Sequence, residues 1–280
     1  MHSHHAHAHG SPGMGFGMAL LVALCLGSVL LYLIAQARAR DRGKGWSGWR
    51  TASFVLGMAL IVCSLVPPLA TRAHQDLSAH MYQHLLLGMF GPIAVVLGTP
   101  VTLALRALPT SVSRRLVALL HGGPVRWISH PVSALVLNVG GMGVLYMSPL
   151  YALMAVHGTL HTLVHFHFLA AGCLFAWSIL QLEPAGPHRL SAQARLAILF
   201  VAIAAHATIA KAMYAYGFPR GTVHSGEELQ RAAKIMYYGG DLSELLLMVV
   251  LFMGWPRAAS ASEPGGVLAA ERVRVPLDSN

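Results

Sequence analysis

Seven long apolar segments, separated by shorter polar ones, constrain this chain more than any other feature. A helix needs roughly 20 mostly apolar residues to cross the hydrocarbon core of a bilayer. Only 10% of the 280 residues are charged, against about 25% in a typical soluble domain. The pattern therefore predicts an all-α, polytopic membrane bundle of about seven transmembrane helices. The predicted spans are 14–36, 51–70, 79–98, 131–148, 152–180, 192–216 and 235–255.

The same pattern predicts a single membrane domain. It covers 14–256, after a flexible His-rich N-terminus at 1–13 and before a flexible cytoplasmic tail at 257–280. Three Cys are each isolated inside an apolar span, so they form neither a CxxC motif nor a disulfide framework. They are Cys25, Cys63 and Cys173.

Lys and Arg predict the orientation of the bundle. The net charge of +9 lies in the loops between spans, and this is the pattern of a membrane orientation signal rather than of nucleic-acid binding. Cytoplasmic loops collect basic residues, so a bias of 14 to 4 places the N-terminus outside and the C-terminus in the cytoplasm. The larger group is Arg38, Arg40, Arg42, Lys44, Arg50, Arg106, Arg114, Arg115, Arg126, Arg189, Arg195, Arg257, Arg272 and Arg274, and the smaller is Arg72, Arg220, Arg231 and Lys234.

Polar side chains inside the predicted spans indicate a functional site. Ionisable groups are costly in lipid, so they usually face the bundle interior and serve a function. In the predicted orientation four helices carry such groups at a similar depth, near the outer face of the membrane. They are His80 and His84 on the third span, His157, His161, His165 and His167 on the fifth, His206, Lys211 and Met213 on the sixth, and Asp241 and Glu244 on the seventh.

The spacing of the histidines favours a metal site. Residues four apart share a helix face, so His80 and His84 point the same way, and so do His157, His161 and His165. Paired imidazoles from facing helices suit copper, zinc, iron or nickel, and a carboxylate can ligate directly or orient a ligating His. We predict a metal site of His80, His84, His161, His165 and Asp241, with His157, His167, His206, Met213 and Glu244 as secondary candidates.

Several of these residues also have simpler interpretations. A single buried His, such as His206 or His167, is more often a hydrogen-bonded polar residue than a ligand. Asp241 follows Gly239-Gly240, which is also the composition of a helix cap. Most of the 13 Met are expected to be packing residues.

The N-terminal tract is rich in histidine and binds metal by composition. In the predicted topology it lies outside, where it could capture ions for the site below. Because only neutral imidazoles bind metal, we expect capture to fail in acid. Its histidines are His2, His4, His5, His7 and His9.

Three blocks of sequence resemble the CtaG-type cytochrome c oxidase assembly factors that occur with bacterial haem–copper oxidases. The resemblance covers about residues 50–255. It implies a multi-pass protein of the bacterial cytoplasmic (inner) membrane that matures an oxidase, with copper as its cargo. The positions that match the family are His80, His84, His161, His165, His167 and Asp241. The blocks are 78–87 with 98–106; His130-Pro131 with Tyr146, 148–151 and 161–172; and 236–242.

The leading functional interpretation is an assembly factor for a haem–copper cytochrome c oxidase, not an enzyme. It would bind copper near the outer face and deliver it to an oxidase subunit, with other copper chaperones as further candidate partners. The sequence leaves open whether the chain forms a homodimer. The main alternative is a membrane haem- or metal-dependent redox protein, and a scaffold whose histidines only form hydrogen bonds is a third. A proton or ion translocator is disfavoured, because the predicted cytoplasmic halves of the polar helices are apolar, as in 169–174 and 245–251.

Overall fold

The computed structural model describes residues 16–183, 186 and 188–260, the last seven of these by their backbone alone. The described residues contain helices and no strand, which confirms the all-α prediction. The predicted N-terminus at 1–13 and the tail residues 261–280 lie outside the described residues. The helices are α1 (Phe16–Asp41), α2 (Gly48–Leu65), α3 (Leu69–Ala73), α4 (Leu77–Leu85), the π-helix π1 (Leu86–Phe90), α5 (Gly91–Leu97), α6 (Pro100–Ala107), α7 (Thr110–Leu120), α8 (Gly123–Ile128), α9 (Pro131–Leu135), the π-helix π2 (Val136–Gly140), α10 (Gly141–Met147), α11 (Leu150–Val156), α12 (Gly158–Leu180), α13 (Ala192–Tyr216) and α14 (Gly226–Ser260).

Six helical segments of the described chain are long and apolar enough to cross a membrane. The pair Pro131–Met147 and Leu150–Val156 is bent by 78° and makes a seventh crossing if it counts as one span. This number confirms the predicted bundle of about seven membrane helices, while the side on which each terminus lies stays a prediction. The six segments are Phe16–Asp41, Gly48–Leu65, Leu77–Ala107, Gly158–Leu180, Ala192–Tyr216 and Gly226–Met253.

The connecting segments divide between two ends of the bundle. At one end the rings of Tyr151 and His224 lie 6.4 Å apart. At the other, the Arg42 guanidinium donates a hydrogen bond of 2.9 Å to the carbonyl oxygen of Leu108. We call these the histidine end and the arginine end. The histidine end comprises residues 66–76, 148–157 and 217–225, and the arginine end comprises 42–47, 108–130 and the described part of 181–191.

Glycine lets α12 pack closely against the third span. A Cβ atom at Gly172 would overlap the carbonyl oxygen of Gly88 and lie 3.0 Å from Cγ of Pro92. Gly88 belongs to π1 and Pro92 to the first turn of α5. Small residues allow helix backbones to approach closely in membranes. The contact holds α12 beside the helix that carries His80 and His84.

The last span begins well before the predicted residue 235. Ser225 and Glu228 form a capping box: the Glu228 carboxylate accepts from the Ser225 N–H at 2.8 Å, and the Ser225 hydroxyl oxygen accepts from the Glu228 N–H at 3.3 Å. The helix therefore starts at Gly226. Asp241 lies about 22 Å further along its axis at 1.5 Å per residue, so the interpretation of Asp241 as a helix cap is wrong.

The predicted fifth span, 152–180, is broken at His157. The backbone of His157 is extended, with φ −121° and ψ 101°, between the end of α11 and the start of α12. Its side chain is exposed. The prediction that His157 shares a face with His161 and His165 is wrong, because side chains share a face only along a continuous helix.

Candidate functional site

Five histidines follow one another from the histidine end into the bundle. The ring of His74 stacks on that of His161 at 4.7 Å between centroids, and His161 lies 4.2 Å from His165. The ring of His80 is 6.3 Å from that of His165. His84 lies one helical turn beyond His80 on the same face of α4. We call this set the imidazole column: His74, His161, His165, His80 and His84.

Burial changes along the column. His74 is exposed, whereas the other four side chains are buried, with exposed fractions of 3% to 8%. A path of imidazoles therefore leads from the surface into the bundle interior. Because a buried polar group is costly unless it is paired, four buried imidazoles on two neighbouring helices need an explanation beyond packing.

Asp76 sets the position of the two histidines on α4. Its Oδ1 accepts a hydrogen bond of 2.8 Å from the Ser78 N–H, an N-cap that starts the helix at Leu77. His80 and His84 are then four residues apart on one face. On that face their rings lie 6.2 and 6.1 Å from the ring of Tyr146.

The hydrogen bonding of His165 prepares its ring for metal binding. Its Nδ1 lies 2.8 Å from the carbonyl oxygen of His161. A carbonyl oxygen only accepts, so Nδ1 carries the proton and Nε2 keeps its lone pair. A neutral ring held by a hydrogen bond at one nitrogen is the form in which histidine binds metal through the other.

Sequence reasoning missed His74. The residue lies just after the short helix α3, outside every predicted span, and its spacing from His80 does not place the two on one helix face. The position of His74 in the chain could have indicated its place in the column. His74 precedes the third span by a few residues, so it lies at the end of the bundle where α12 begins.

Aromatic residues enclose the buried part of the column. The Tyr151 ring lies 5.1 Å from that of His80, and the Phe168 ring 4.7 Å from that of His84. Tyr146 is fully buried, and its hydroxyl has no hydrogen-bond partner. The column is thus shielded from lipid by rings rather than by charged groups.

A second set of ionisable side chains lies where α14 packs against both α13 and α4. His206 Nδ1 is 3.4 Å from Glu244 Oε1, and both side chains are buried. His84 precedes Leu85, whose side chain packs against Gly239, and His206 packs against Gly240, so His84 and His206 lie at the same level of α14. We call His84, His206 and Glu244 the inner group. His84 therefore belongs both to the end of the column and to this group.

The Gly239-Gly240 pair makes room for the inner group. A Cβ atom at Gly240 would overlap the imidazole of His206, and one at Gly239 would overlap the Leu85 side chain on α4. The two glycines let α14 approach α13 and α4 at the same level. This is the physical role of a motif that sequence reasoning treated as part of a cap.

Three further predicted residues lie apart from both groups. The His167 ring nitrogen Nε2 lies 3.0 Å from the carbonyl oxygen of Leu137, in a contact with another helix. Met213 is fully buried in the apolar core. Asp241 is half-buried, and within the described part of the chain its carboxylate has no hydrogen-bond or ion-pair partner.

Among the described residues, no three His, Cys, Asp or Glu side chains stand close enough to hold a metal ion without moving. Donor atoms without a partner are nevertheless present nearby. Both ring nitrogens of His84, Nε2 of His206 and Oε2 of Glu244 are buried without a hydrogen-bond partner, although buried polar atoms are nearly always paired. Imidazole rings reorient through side-chain torsions, and imidazole with carboxylate suits copper and related metals.

Comparison with known proteins identifies the family. Residues 30–258 match the family described as "Cytochrome c oxidase caa3 assembly factor (Caa3_CtaG)". The chain belongs to this family. The match confirms the family that the three sequence blocks resemble. It covers every residue of the imidazole column and the inner group, so both groups lie inside the Caa3_CtaG region. No solved structure matches the chain.

Mycobacterial proteins are among the relatives of this Caa3_CtaG chain. Uncharacterized proteins of Mycobacterium bovis and Mycobacterium tuberculosis are each 31% identical over 234 residues, which cover 77% of this chain and 35% of theirs. An uncharacterized protein of Mycobacterium leprae is 34% identical over 172 residues, which cover 59% of this chain and 26% of its own. The chain thus spans about a third of the length of the curated relatives it matches.

Proposed function

We propose that this protein is a non-enzymatic assembly factor that binds copper in the outer four histidines of the imidazole column and delivers it to a subunit of a haem–copper cytochrome c oxidase. Membership of the Caa3_CtaG family supports the assembly role. The observation that carries the copper role is the continuity of the column, from exposed His74 to the buried ring of His80.

The ring spacings suit transfer better than permanent storage. Neighbouring ring centroids are 4.2 to 6.3 Å apart, so small rotations bring two imidazoles at a time onto one ion. A site with few protein ligands keeps coordination positions open for an incoming ligand. Copper bound in this way can pass along the column and leave for a partner that offers its own ligands.

The partner is expected at the histidine end. His74 is the exposed member of the column and lies outside the membrane-spanning helices. In the orientation predicted from Lys and Arg, this end faces the outside of the cytoplasmic membrane. An oxidase subunit embedded in the same membrane could therefore meet the column without entering the bundle.

Elemental analysis of the purified protein tests copper binding. Residues 1–13 are removed from every variant, because the His-rich tract would bind metal independently. The His161→Ala/His165→Ala variant is expected to carry about one copper ion per chain fewer than the parent. The matched control is His130→Ala/His188→Ala, which removes two rings 5.1 Å apart at the arginine end and should leave the copper content unchanged. If the parent and the His161→Ala/His165→Ala variant contain the same number of copper ions per chain, the proposal is refuted.

Complementation separates copper delivery from scaffolding. In cells that lack the gene for this protein, the His161→Ala/His165→Ala variant should fail to support maturation of the oxidase. Copper added to the medium should then restore part of the oxidase activity. A scaffold would show intact function in the alanine variant. The absorption spectrum of the purified parent tests the redox alternative, because a Soret band indicates haem.

A further inference from the structure

We propose that the inner group, His84, His206 and Glu244, forms a second metal site that takes a divalent first-row transition-metal ion inside the bundle. The site is separate from the outer four histidines. It does not rest on copper delivery, since it is argued from different residues on different helices.

Three helices bring buried ionisable side chains to one level of the bundle. His84 comes from α4, His206 from α13 and Glu244 from α14. Their exposed fractions are 7%, 2% and 5%. Ionisable groups this deep in a membrane bundle are expensive, and they are usually kept for a function.

The inner group has more donor atoms than the protein uses. The described residues contain eleven buried side-chain nitrogen and oxygen atoms without a hydrogen-bond partner, and four of them belong to these three residues. The single contact within the group, from His206 Nδ1 to Glu244 Oε1, leaves Nε2 and Oε2 of the same pair unpaired. Such a concentration is typical of a site that binds something, because isolated unpaired atoms are normally scattered and rare.

The space beside the group fits one small ion. A cavity of about 20 Å³ lies beside Glu244, the one member of the inner group that lines it, and its wall also contains Met89, Asn138, Ser243 and the apolar side chains of Ile93, Phe175 and Leu247. A cavity needs about 10–15 Å³ to hold one water-sized sphere. The His84 ring faces the open side of Gly88, where a Cβ atom would lie 3.7 Å from Nδ1. An ion in the cavity would be held first by Glu244, and His84 and His206 would join it by rotating about their side-chain torsions.

The donors select a transition metal. Two neutral imidazoles and one carboxylate offset one unit of a dication's charge, and they suit zinc, copper and iron better than the oxygen-binding ions calcium and magnesium. The thioether of Met89 lies at the same level, since Ser243 Oγ donates to its Sδ at 3.5 Å. Among divalent first-row ions, Cu²⁺ binds nitrogen and oxygen donors most tightly, so Cu²⁺ is the first probe and Zn²⁺ the second.

Metal content per chain is the primary test. In protein that lacks residues 1–13 and is loaded with Cu²⁺, Glu244→Gln and His206→Gln should each lose about one ion per chain, because both retain side-chain volume while removing a donor. The matched control is Ser243→Ala, which alters the cavity wall but no proposed ligand and should keep the full content. If both glutamine variants bind as many Cu²⁺ and Zn²⁺ ions as the parent, the inner site does not exist.

The rate of metal removal provides a second readout, and its first result comes from the parent protein alone. An ion in the inner group is enclosed by helices, so a membrane-impermeant chelator should remove copper from the parent in two phases, with the slow phase absent in Glu244→Gln. A single phase in the parent contradicts the proposal. The two proposals fail separately: His161→Ala/His165→Ala should remove the fast phase, and Glu244→Gln the slow one.

Discussion

Replacing Gly240 by alanine should destabilise the bundle through one neighbour, the imidazole of His206. The added Cβ atom would overlap that ring. Overpacking a well-packed interior costs about 1–3 kcal/mol, and displacing the ring also breaks its 3.4 Å contact with Glu244. We expect the free energy of unfolding of Gly240→Ala to fall by about 3 kcal/mol, the upper part of that range.

Gly240→Ala should change the free energy of unfolding very little once the His206 ring is absent. In a His206→Ala background the new methyl group enters space that the imidazole occupied. The cost of Gly240→Ala should then be close to zero, since alanine is favoured over glycine in a helix interior by about 1 kcal/mol. The double-mutant cycle should therefore show a coupling of about 2–3 kcal/mol, which is at the upper end for residues in contact.

Four proteins and one control measure this coupling. The parent, the two single variants and the double variant are unfolded by SDS in mixed micelles, with helicity followed by circular dichroism. The control is Gly27→Ala on α1, where nothing lies within 4 Å of the added Cβ, so its stability should be unchanged or slightly higher. If the two substitutions are additive within about 0.5 kcal/mol, the argument that Gly240 exists to seat His206 is refuted.

Further predictions concern the two ends of the bundle. Glu183→Ala should lower the free energy of unfolding by about 2–4 kcal/mol, because the buried Glu183 carboxylate accepts from the Val101 and Thr102 N–H groups at 3.0 and 2.8 Å and its loss leaves both donors unpaired. Burial raises the pKa of Glu183 above its ordinary value of 4.5 despite hydrogen bonds from Thr102 that lower it. The folded protein therefore binds the Glu183 proton more tightly than the unfolded chain does. The free energy of unfolding should fall as pH rises from 4.5 through the raised pKa. Glu183→Gln should abolish this pH dependence, measured by SDS unfolding at a series of pH values. At the histidine end, His74→Ala should weaken copper binding about tenfold, equivalent to about 1.4 kcal/mol, because it removes one of the four proposed imidazoles, whereas His157→Ala should leave copper binding unchanged in the same titration. Equal effects of the two substitutions would show that His74 is not part of the column.

Local signals account for most of the fold that sequence reasoning predicted. Span number and helix type follow from the length and apolarity of each segment, and the positions of α13 and most other spans agree to within a few residues. The sequence also contains a signal for the early start of α14, because Ser225 and Glu228 have the spacing of a capping box. The break in the helix at His157 was harder to predict from the sequence, since the apolar pattern continues on both sides of this residue.

The candidate site was predictable only in part. The four-residue spacing of His80 with His84 and of His161 with His165 indicated two helix faces with imidazoles, which the structure places against each other at 6.3 Å between His80 and His165. Spacing along one helix says nothing about which neighbour that face meets. For this reason His74 was missed, and His167 was grouped with the column although its ring contacts another helix.

The sequence by itself determined that the chain is a helical membrane bundle with buried histidines, because hydrophobic length and side-chain periodicity are properties of single segments. Only the tertiary structure decided that His206 meets Glu244 and that His84 and His206 lie at the same level of α14. Those contacts depend on how each helix is rotated about its axis and how closely its neighbours approach. In this bundle, close packing at Gly172, Gly239 and Gly240 sets the rotation of α12 and α14 and their distance from neighbouring helices. The residues that these glycines contact lie on other helices, far away in the chain.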